Sequence, residues 1–371
     1  MDFAYSEEQR MLTDSLRRVM SENWTFKHRR ARQATGQMDK QAWQSLADLG
    51  VAGLMVPEAY GGFGESPATM LTVHQELGRG LVSEPVIPSA VMAVTLLSNS
   101  SNESLKERWL SAHAEGEAVL SIAWQEEGER YSIRPLCTHA ERSGSGFVVS
   151  GRKTLVWHGA AASALIVSAL LEGEIALFLI ERSANGLSMA DYPTFDGMRT
   201  ATVGLDKVSV GAEALIAKGA EAEALINLAL DFGITALCAH ASGAMEYLTE
   251  VTIQYLKTRQ QFGQYLANFQ VLQHRMGDML IQQEMALSMT YVAAQALGQS
   301  NAAERSRLVS MTKVEVAAAA RLVGEAAVQL HGGMGMTDEL EVGDYFKRLT
   351  YTDLLLGDTL HHLQRMQDME S

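Results

Sequence analysis

The chain has 371 residues, and its 30 Lys and Arg against 44 Asp and Glu give a formal net charge of −14. An acidic chain without a basic run lacks the electrostatic footprint of a nucleic-acid-binding protein, because phosphate backbones are held by clustered Lys and Arg. Hydrophobic residues make up 47% and charged residues 20%, which excludes an intrinsically disordered chain. A chain of this length is expected to form two or three domains.

The cysteines and the N-terminal segment exclude further classes. Cys137 and Cys238 lie far apart in sequence, which favours reduced thiols over a disulfide framework. Residues 1–10 carry acids where a secretory signal would carry basic and then apolar residues. The most apolar stretch, 160–171, ends at Glu172 and is shorter than the roughly 20 residues that a membrane helix needs. We therefore expect a cytoplasmic protein without a membrane span.

Residues 1–118 have the pattern of an α-helical domain. Ser6 and Gln9 have the spacing of a capping box, and apolar residues follow at helical intervals. A glycine-rich connector, Val56–Gly64, interrupts the helical pattern. Further helices are predicted at 41–49, 67–80, 88–97 and 105–114.

From Val119 the pattern changes to short apolar and β-branched runs separated by glycine and polar turns. These runs predict an antiparallel β domain over residues 119–215. They occupy 119–124, 147–149, 154–157, 164–169, 175–180, 201–203 and 208–210.

Residues 216–371 are rich in alanine and leucine and predict a bundle of long antiparallel helices. The helical pattern is interrupted near Phe262–Gly263, 298–301 and His331–Gly335. The predicted fold class is therefore α+β, with the order helical domain, β domain, helical bundle.

Common catalytic motifs are missing from the sequence. It contains no Walker A loop, nucleophile elbow, HExxH, paired CxxC or dinucleotide-type GxGxxG. The histidines, including His331, His361 and His362, have no recognisable metal spacing, so we expect no metal site. Two weaker patterns therefore carry the functional prediction.

The first pattern is a glycine cluster at the end of a predicted helix. Gln329 is followed by Gly332, Gly333 and Gly335, and closely spaced glycines expose backbone N–H groups that can approach a pyrophosphate. The Gln329 amide can donate to the same oxygens. The alternative is a helix C-cap followed by a turn, for which one glycine would be enough.

The second pattern begins at Arg259 and continues through Gln261, Phe262 and Gln270. Arg259 is suited to pair with a phosphate, and Phe262 is suited to stack on a ring. Taken alone, this pattern also fits a surface arginine and a core phenylalanine.

In order and spacing, the two patterns together resemble the acyl-CoA dehydrogenase family, and the resemblance covers essentially the whole chain. The motifs that carry it are Phe3-x-x-Ser6-Glu-Glu-Gln9, Pro57-Glu-x-Tyr60-Gly-Gly-x-Gly64, Gly151-Arg-Lys-Thr154, Arg259-x-x-Phe262-Gly263 and Gln329-x-x-Gly-Gly-x-Gly335. The resemblance implies an N-terminal helical domain, a central antiparallel β domain and a C-terminal four-helix bundle. It also implies FAD held between subunits, an acyl-CoA substrate, and an electron-transfer flavoprotein or similar acceptor.

The resemblance assigns cofactor contacts residue by residue. Arg259, Gln261 and Phe262 match contacts to the pyrophosphate and adenine side of FAD, and Gln270 matches a neighbouring contact. Gln329 and Gly333, with Gly332 beside them, match pyrophosphate contacts supplied by the other subunit.

In the β domain, Trp124 and Trp157 lie in the two segments that match the flavin-facing strands, although each is equally suited to a place in the core. This sequence departs from the family pattern there. Gln125 replaces a threonine, Leu155 replaces a tryptophan, and Trp157 replaces a hydroxyl residue.

The family removes an α-proton with a carboxylate while a hydride passes from the β-carbon to the flavin. Counted from the glycine cluster, the usual position of this base is Leu356; the position used by a minority of members is Gly233. Neither residue can accept a proton. The nearest carboxylates, Asp231 and Asp358, are therefore the candidate bases, and each also fits a helix-capping role.

Three functional hypotheses follow. In the first, the chain is an FAD-dependent acyl-CoA dehydrogenase with a displaced base and a bulky, dicarboxylic or steroid-derived substrate. Arg130 or Arg199 could bind a carboxylate of that substrate. In the second, it is the base-lacking small subunit of a heteromeric dehydrogenase for pimeloyl-CoA-like or steroid-derived thioesters. The segments 76–85, 157–159 and 356–358 favour this second hypothesis. The third is a binding scaffold without redox chemistry, which leaves the joint spacing of the two patterns unexplained.

Overall fold

The computed structural model describes residues 7–370, so Ser6 of the predicted capping box and Phe3 of the N-terminal motif lie outside the described residues. The chain forms two compact units, called here the helical unit and the sheet unit. The helical unit comprises Met1–Arg30, Pro67–Val82 and Ile234–Ser371, and the sheet unit comprises Ala31–Ser66 and Ser83–Gly233.

Eleven α-helices lie within the described part of the chain. They are α1 Glu7–Asn23, α2 Phe26–Thr35, α3 Lys40–Asp48, α4 Pro67–Arg79, α5 Val94–Ser98, α6 Glu103–Ala114, α7 Ala220–Thr258, α8 Gln270–Ala296, α9 Ala302–His331, α10 Val342–Leu354 and α11 Thr359–Glu370. A π-helical segment, Val86–Ala93, leads directly into α5. The helices predicted at 41–49, 67–80, 88–97 and 105–114 are therefore confirmed.

The same residues form ten strands. They are β1 Leu120–Ala123, β2 His139–Ser143, β3 Gly146–Trp157, β4 Ala164–Leu171, β5 Glu174–Glu181, β6 Leu187–Pro193, β7 Arg199–Gly211, β8 Leu215–Lys218, β9 Gln260–Gln261 and β10 Gln264–Tyr265. Strands β9 and β10 form a separate two-stranded hairpin, and the other eight form one sheet.

The eight-stranded sheet is mostly antiparallel. Seven strands follow the order β6-β7-β3-β2-β4-β5-β8, and β1 pairs with β4 beside them. Strands β1 and β2 both run parallel to β4, and the other pairings in this sheet are antiparallel, so the predicted antiparallel β domain is confirmed as a mostly antiparallel one. Alternation of apolar residues does not reveal strand direction, because the pleat has the same period in both kinds of sheet.

Two long strands were each predicted as two short ones. The runs 147–149 and 154–157 both belong to β3, and the runs 201–203 and 208–210 both belong to β7. Pairing of β3 with β7 shifts register twice, between Val149 and Gly151 and again between Lys153 and Val156. A bulge shifts the alternation by one residue, which makes one continuous strand look like two in the sequence.

The interior of the sheet unit is an apolar core of alternating strand residues. Phe147 and Phe178 pack edge to face with ring centroids 5.2 Å apart, among the buried valines, leucines and isoleucines of β3, β4 and β5. Residues on opposite faces of a strand alternate, so the side chains at 147, 149 and 153 of β3 all point into the protein.

Helix α7 in its central part is as apolar as a membrane-spanning helix. It has 39 residues, and 78% of its most apolar window is buried inside the protein. This burial accounts for its composition, as expected for the core helix of a globular domain.

A buried ion pair fixes the loop that follows β1. Lys153 Nζ donates to Glu126 Oε1 at 2.7 Å and to Ser168 Oγ at 3.0 Å, and the side chains of Lys153 and Glu126 are 0% and 3% exposed. Glu126 also accepts the backbone N–H groups of Leu136, Cys137 and Thr138. Burial alone would raise the pKa of Glu126, but these hydrogen bonds outweigh it and lower the pKa to about 2.

We predict that Lys153→Met destabilises the protein by about 3–5 kcal/mol, because it leaves Glu126 buried without its cation. Lys207→Met, at an exposed lysine of the same unit, should change stability by less than about 0.5 kcal/mol. Urea unfolding provides the measurement.

The same ion pair predicts a pH dependence. The stabilisation from ionised Glu126 is complete above pH 4.5 and is lost as the pH falls towards 2. The difference in unfolding free energy between Lys153→Met and the parent should therefore become smaller between pH 4.5 and pH 2. Equal stability of Lys153→Met and the parent at pH 7 would contradict the assignment.

Candidate functional site

In the helical unit, the second sequence pattern forms a tight hairpin. Helix α7 ends at Thr258, and Gln261 pairs with Gln264 across a two-residue turn. Both turn residues have positive φ, 53° at Phe262 and 80° at Gly263, as a type I′ turn requires. A bulky residue rarely adopts this conformation, and here it leaves the Phe262 ring 91% exposed. An exposed aromatic side chain at a hairpin tip is positioned to meet a ligand or a partner chain.

Exposed polar residues lie before and after Phe262 in the chain. Arg259 is exposed directly before the hairpin, and within residues 7–370 its guanidinium forms no ion pair. Gln261 is exposed in β9, and Gln270 is the exposed first residue of α8. The Phe269 ring stands perpendicular to the Phe262 ring, with centroids 6.3 Å apart. All four residues that the resemblance assigns to this side of the cofactor are thus exposed on the hairpin and at the start of α8.

The glycine cluster forms an open turn at the end of α9. Gly332 has φ 60° and donates its N–H to the carbonyl of Gln329, which closes the helix. A Cβ atom added at Gly332 or at Gly333 would meet nothing within 4 Å, whereas one at Gly335 would lie 2.8 Å from the Val328 carbonyl oxygen. The first two glycines therefore expose their backbone, and the third is required for packing.

An aromatic contact joins the two patterns. The rings of Tyr255 and His331 stack with centroids 4.3 Å apart, and the Tyr255 hydroxyl donates to the His331 carbonyl at 3.4 Å. Tyr255 lies one turn before Arg259, and its carbonyl accepts the Arg259 N–H at 2.9 Å. Burial lowers the pKa of His331, which keeps the imidazole neutral at pH 7. Sequence analysis missed this contact, because the two residues are 76 positions apart.

These residues fit a dinucleotide cofactor such as FAD. Arg259 supplies an uncompensated cation, Phe262 supplies an exposed ring, and the open backbone at Gly332 and Gly333 allows close approach of phosphate oxygens. Gln329, one turn before these glycines, is exposed, so its amide can donate to a ligand.

In the sheet unit, the two flavin-facing segments have different environments. Trp124 is only 5% exposed and belongs to the core, and its carbonyl faces Lys153 Nζ at 3.4 Å. Trp157 is half-buried at the end of β3, and its indole N–H has no acceptor within residues 7–370. Leu155, on the bulge of β3, has φ 51° and is 47% exposed. The replacements at 155 and 157 thus change side-chain size and polarity at the strand end where a ligand ring could pack.

The loop between α10 and α11 carries Leu356, at the usual position of the catalytic base. Leu356 is half-buried with φ 58°, and its carbonyl lies 3.2 Å from His362 Nε2. Asp358 accepts the His361 N–H at 2.9 Å and so caps α11. Asp353 accepts both the N–H and the hydroxyl of Thr359. Both acids near Leu356 therefore stabilise the loop.

The second candidate base lies inside α7. Asp231 is 0% exposed and engaged with neighbouring groups, and Ile234 one turn later is 1% exposed. Gly233, at the minority base position, is buried as well. Neither usual base position holds a carboxylate, and the nearest acid at this one has no surface open to a ligand.

A buried lysine donates hydrogen bonds to the loop that carries Leu356. Lys313 on α9 is 0% exposed, and its Nζ donates to the carbonyls of Asp353 at 3.0 Å and Gly357 at 2.6 Å. Burial lowers the pKa of Lys313 to about 8. The sequence signal was available, since Lys313 lies in phase with the apolar positions Val309, Val316 and Ala320 of its helix.

Two family models match separate parts of the chain. Residues 6–117 match the acyl-CoA dehydrogenase N-terminal domain, and residues 224–368 match the acyl-CoA dehydrogenase C-terminal domain. Cyclohexane-1-carbonyl-CoA dehydrogenase of Geobacter metallireducens is 28% identical over 374 residues, 98% of this chain and 97% of that protein. (2S)-Methylsuccinyl-CoA dehydrogenase of Cereibacter sphaeroides is 27% identical over 358 residues, which are 91% of this chain. The match covers only 64% of the length of that relative.

A solved structure extends the similarity to the fold. A variant of the Tcur3481-Tcur3483 steroid ACAD superposes with a TM-score of 0.87 at 27% identity, and the match covers 98% of each chain. The similarity includes both units, because nearly the whole chain is matched.

We predict that Gly333→Val weakens FAD binding about tenfold, because the new side chain enters the open space above the turn, where a Cβ atom meets nothing within 4 Å. Gly277→Val is the matched control, since a Cβ there also meets nothing within 4 Å and the residue lies outside both patterns. Titration of the apoprotein with FAD, followed by flavin fluorescence, gives the dissociation constants. Unchanged affinity in Gly333→Val would remove this turn from the cofactor site.

We predict that Lys313→Met lowers the free energy of unfolding by about 2–4 kcal/mol, because the Asp353 and Gly357 carbonyls lose their charged donor. Lys347→Met on α10 is the control, as Lys347 is exposed in the same unit. Chemical denaturation measures both variants. Equal stabilities of the Lys313 and Lys347 variants would show that the loop does not depend on Lys313.

Proposed function

Since this chain belongs to the acyl-CoA dehydrogenase family, we propose that it is the base-lacking, FAD-binding subunit of a heteromeric acyl-CoA dehydrogenase. Members of the family carry out FAD-dependent dehydrogenation of acyl-CoA thioesters. In this proposal a related subunit supplies the carboxylate that removes the α-proton.

The loop at Leu356 is the observation that carries the proposal. An aliphatic side chain occupies the usual base position, and the acids on either side of it are used to hold the loop. A general base must come within hydrogen-bond reach of the proton that it removes. Asp358 is committed to capping α11, and Asp231 is fully buried within α7. Neither candidate has the exposure and freedom that the role requires.

The chain's own contribution is to bind and orient. Arg259 and the glycine turn would hold the pyrophosphate of FAD, and Phe262 would pack against its adenine side. When bound, FAD supplies the hydride acceptor of the reaction. The side chains at the strand end Leu155–Trp157 would pack against the flavin ring. They offer aliphatic and indole surface where the family pattern has a hydroxyl residue.

A related dehydrogenase chain is the proposed partner. Phe262 is exposed at the hairpin tip, and Val271 and Ile281 on the following helix α8 are 71% and 57% exposed. Large exposed apolar side chains on one hairpin and helix are typical of an interface between subunits. The steroid ACAD described above bears the names of two proteins, which supports a pair of different chains.

The substrate class is proposed from the relatives. The relatives act on ring-bearing and branched dicarboxylic thioesters, as their names state, and the solved neighbour is a steroid ACAD. We therefore propose a bulky, dicarboxylic or steroid-derived acyl-CoA, with an electron-transfer flavoprotein or similar acceptor, in the cytoplasm. Autonomous activity through a displaced base is the competing function.

We predict that the chain expressed alone does not oxidise acyl-CoA thioesters, and that activity appears when it is co-expressed with a related chain that has glutamate at the position equivalent to Leu356. Asp231→Asn and Asp358→Asn in this chain should keep at least about half of the activity of the complex, since the partner's glutamate is the base. Glutamate→glutamine in the partner should reduce turnover by about 100-fold or more. Reduction of a dye acceptor measures the activity of each protein.

Turnover by the isolated chain that disappears in Asp231→Asn would instead establish a displaced base. A colourless complex that takes up no FAD would contradict both flavoprotein functions and leave a binding scaffold.

A further inference from the structure

The sheet unit contains a cavity whose lining includes none of the candidate cofactor residues. It has a volume of about 770 Å³ and lies between the α2–α3 loop, the residues before β1 and the turn after β3. A second cavity of about 110 Å³ adjoins it, and the two share Gln37, Met38, His158 and Arg199. A volume of this size is typical of small-molecule sites.

The cavity lies immediately beyond the strand end that matches the flavin-facing segment. Strand β3 ends at Trp157, and the next residue, His158, lines both cavities. The Ser121 hydroxyl donates to the Trp157 carbonyl at 2.6 Å, and the His158 N–H donates to the Arg199 carbonyl at 3.0 Å. These hydrogen bonds hold the turn after β3 in place, so the cavity wall that this turn forms is rigid.

Cations outnumber carboxylates in the lining. Asp191 is paired with Arg199, Nε to Oδ2 at 3.1 Å, so these two charges largely cancel. The guanidinium of Arg182 donates to the Ala160 carbonyl and has no carboxylate partner within residues 7–370. Lys40, exposed at the start of α3, forms no ion pair with any described residue. In a chain with a net charge of −14, a cavity lined by three cations against the two carboxylates of Asp191 and Glu117 is suited to an anion.

Apolar groups complete the wall. Met38, Val119 and the alanines at 160–162 line the cavity beside the cations, and Glu117 is the one further carboxylate in its lining as the structure describes it. A ligand with an apolar body and one anionic end therefore matches this lining better than a wholly polar ion does.

We infer that this cavity receives the far end of the acyl group, and that Lys40 and Arg182 select acyl groups that end in a carboxylate. This inference rests on the proposed acyl-CoA activity and specifies its substrate class. In this inference Lys40 and Arg182 bind the end of the acyl group and take no part in the reaction itself.

The test compares two thioesters of equal chain length, one acyl-CoA ending in a carboxylate and the other in a methyl group. Calorimetric titration of the full FAD-loaded protein, as the complex where it is isolated as one, gives both dissociation constants under anaerobic conditions. We expect tighter binding of the carboxylate-ended thioester. Lys40→Gln should weaken that binding about fivefold and leave the methyl-ended thioester unchanged, as for the loss of one partly exposed ion pair.

Two further variants sharpen the result. Lys40→Arg should retain the preference, because it keeps the charge, and Lys207→Gln should change neither constant, because Lys207 is exposed on the same unit outside the cavity. Equal binding of the two thioesters in the parent and in Lys40→Gln would overturn this inference alone. Failure of both thioesters to bind the FAD-loaded parent would overturn the proposed function together with it.

Discussion

The buried ion pair between Lys153 and Glu126 is the contact on which the geometry of the sheet unit depends. Lys153 comes from the middle of β3, and Glu126 from the loop after β1, so the pair ties together the two segments that match the flavin-facing strands. Three backbone N–H groups complete the coordination of the carboxylate. A pair with this little exposure is retained only when its hydrogen bonds are complete, because both charges have lost their hydration. The register shift between Lys153 and Val156, which includes the exposed Leu155, lies directly beside this ion pair in β3.

A second buried lysine plays the corresponding part in the helical unit. Lys313 holds two carbonyls of the loop that carries Leu356, and His362 contacts a third. The loop therefore keeps a defined shape although it lacks the carboxylate that usually gives it a catalytic role. An intact scaffold with a missing reactive group is what a subunit needs if it completes a binding site while a partner performs the proton transfer. In the heteromer proposed above, the exposed hairpin at Phe262 would contact the partner chain.

Much of the site was visible in the sequence, because its residues cluster in two short motifs. Arg259, Gln261, Phe262 and Gln270 fall within one hairpin and the start of the next helix, and Gln329, Gly332 and Gly333 fall within one turn. Local turn chemistry places such residues together whatever the rest of the chain does. Other features join residues that are distant in sequence, and no local pattern predicts them. They are the contact between Tyr255 and His331 and the cavity beside His158.

The sequence by itself determined the order of helical and β segments, the two candidate cofactor motifs and the absence of a carboxylate at Leu356 and Gly233, since each of these depends on residue identity and local spacing. Only the tertiary structure decided strand direction, the continuity of β3 and β7, and the roles of the candidate acids. Asp231 is enclosed within α7, and Asp358 caps α11. A carboxylate's role depends on its burial and its hydrogen-bond partners, and these are set by groups brought together from distant parts of the chain.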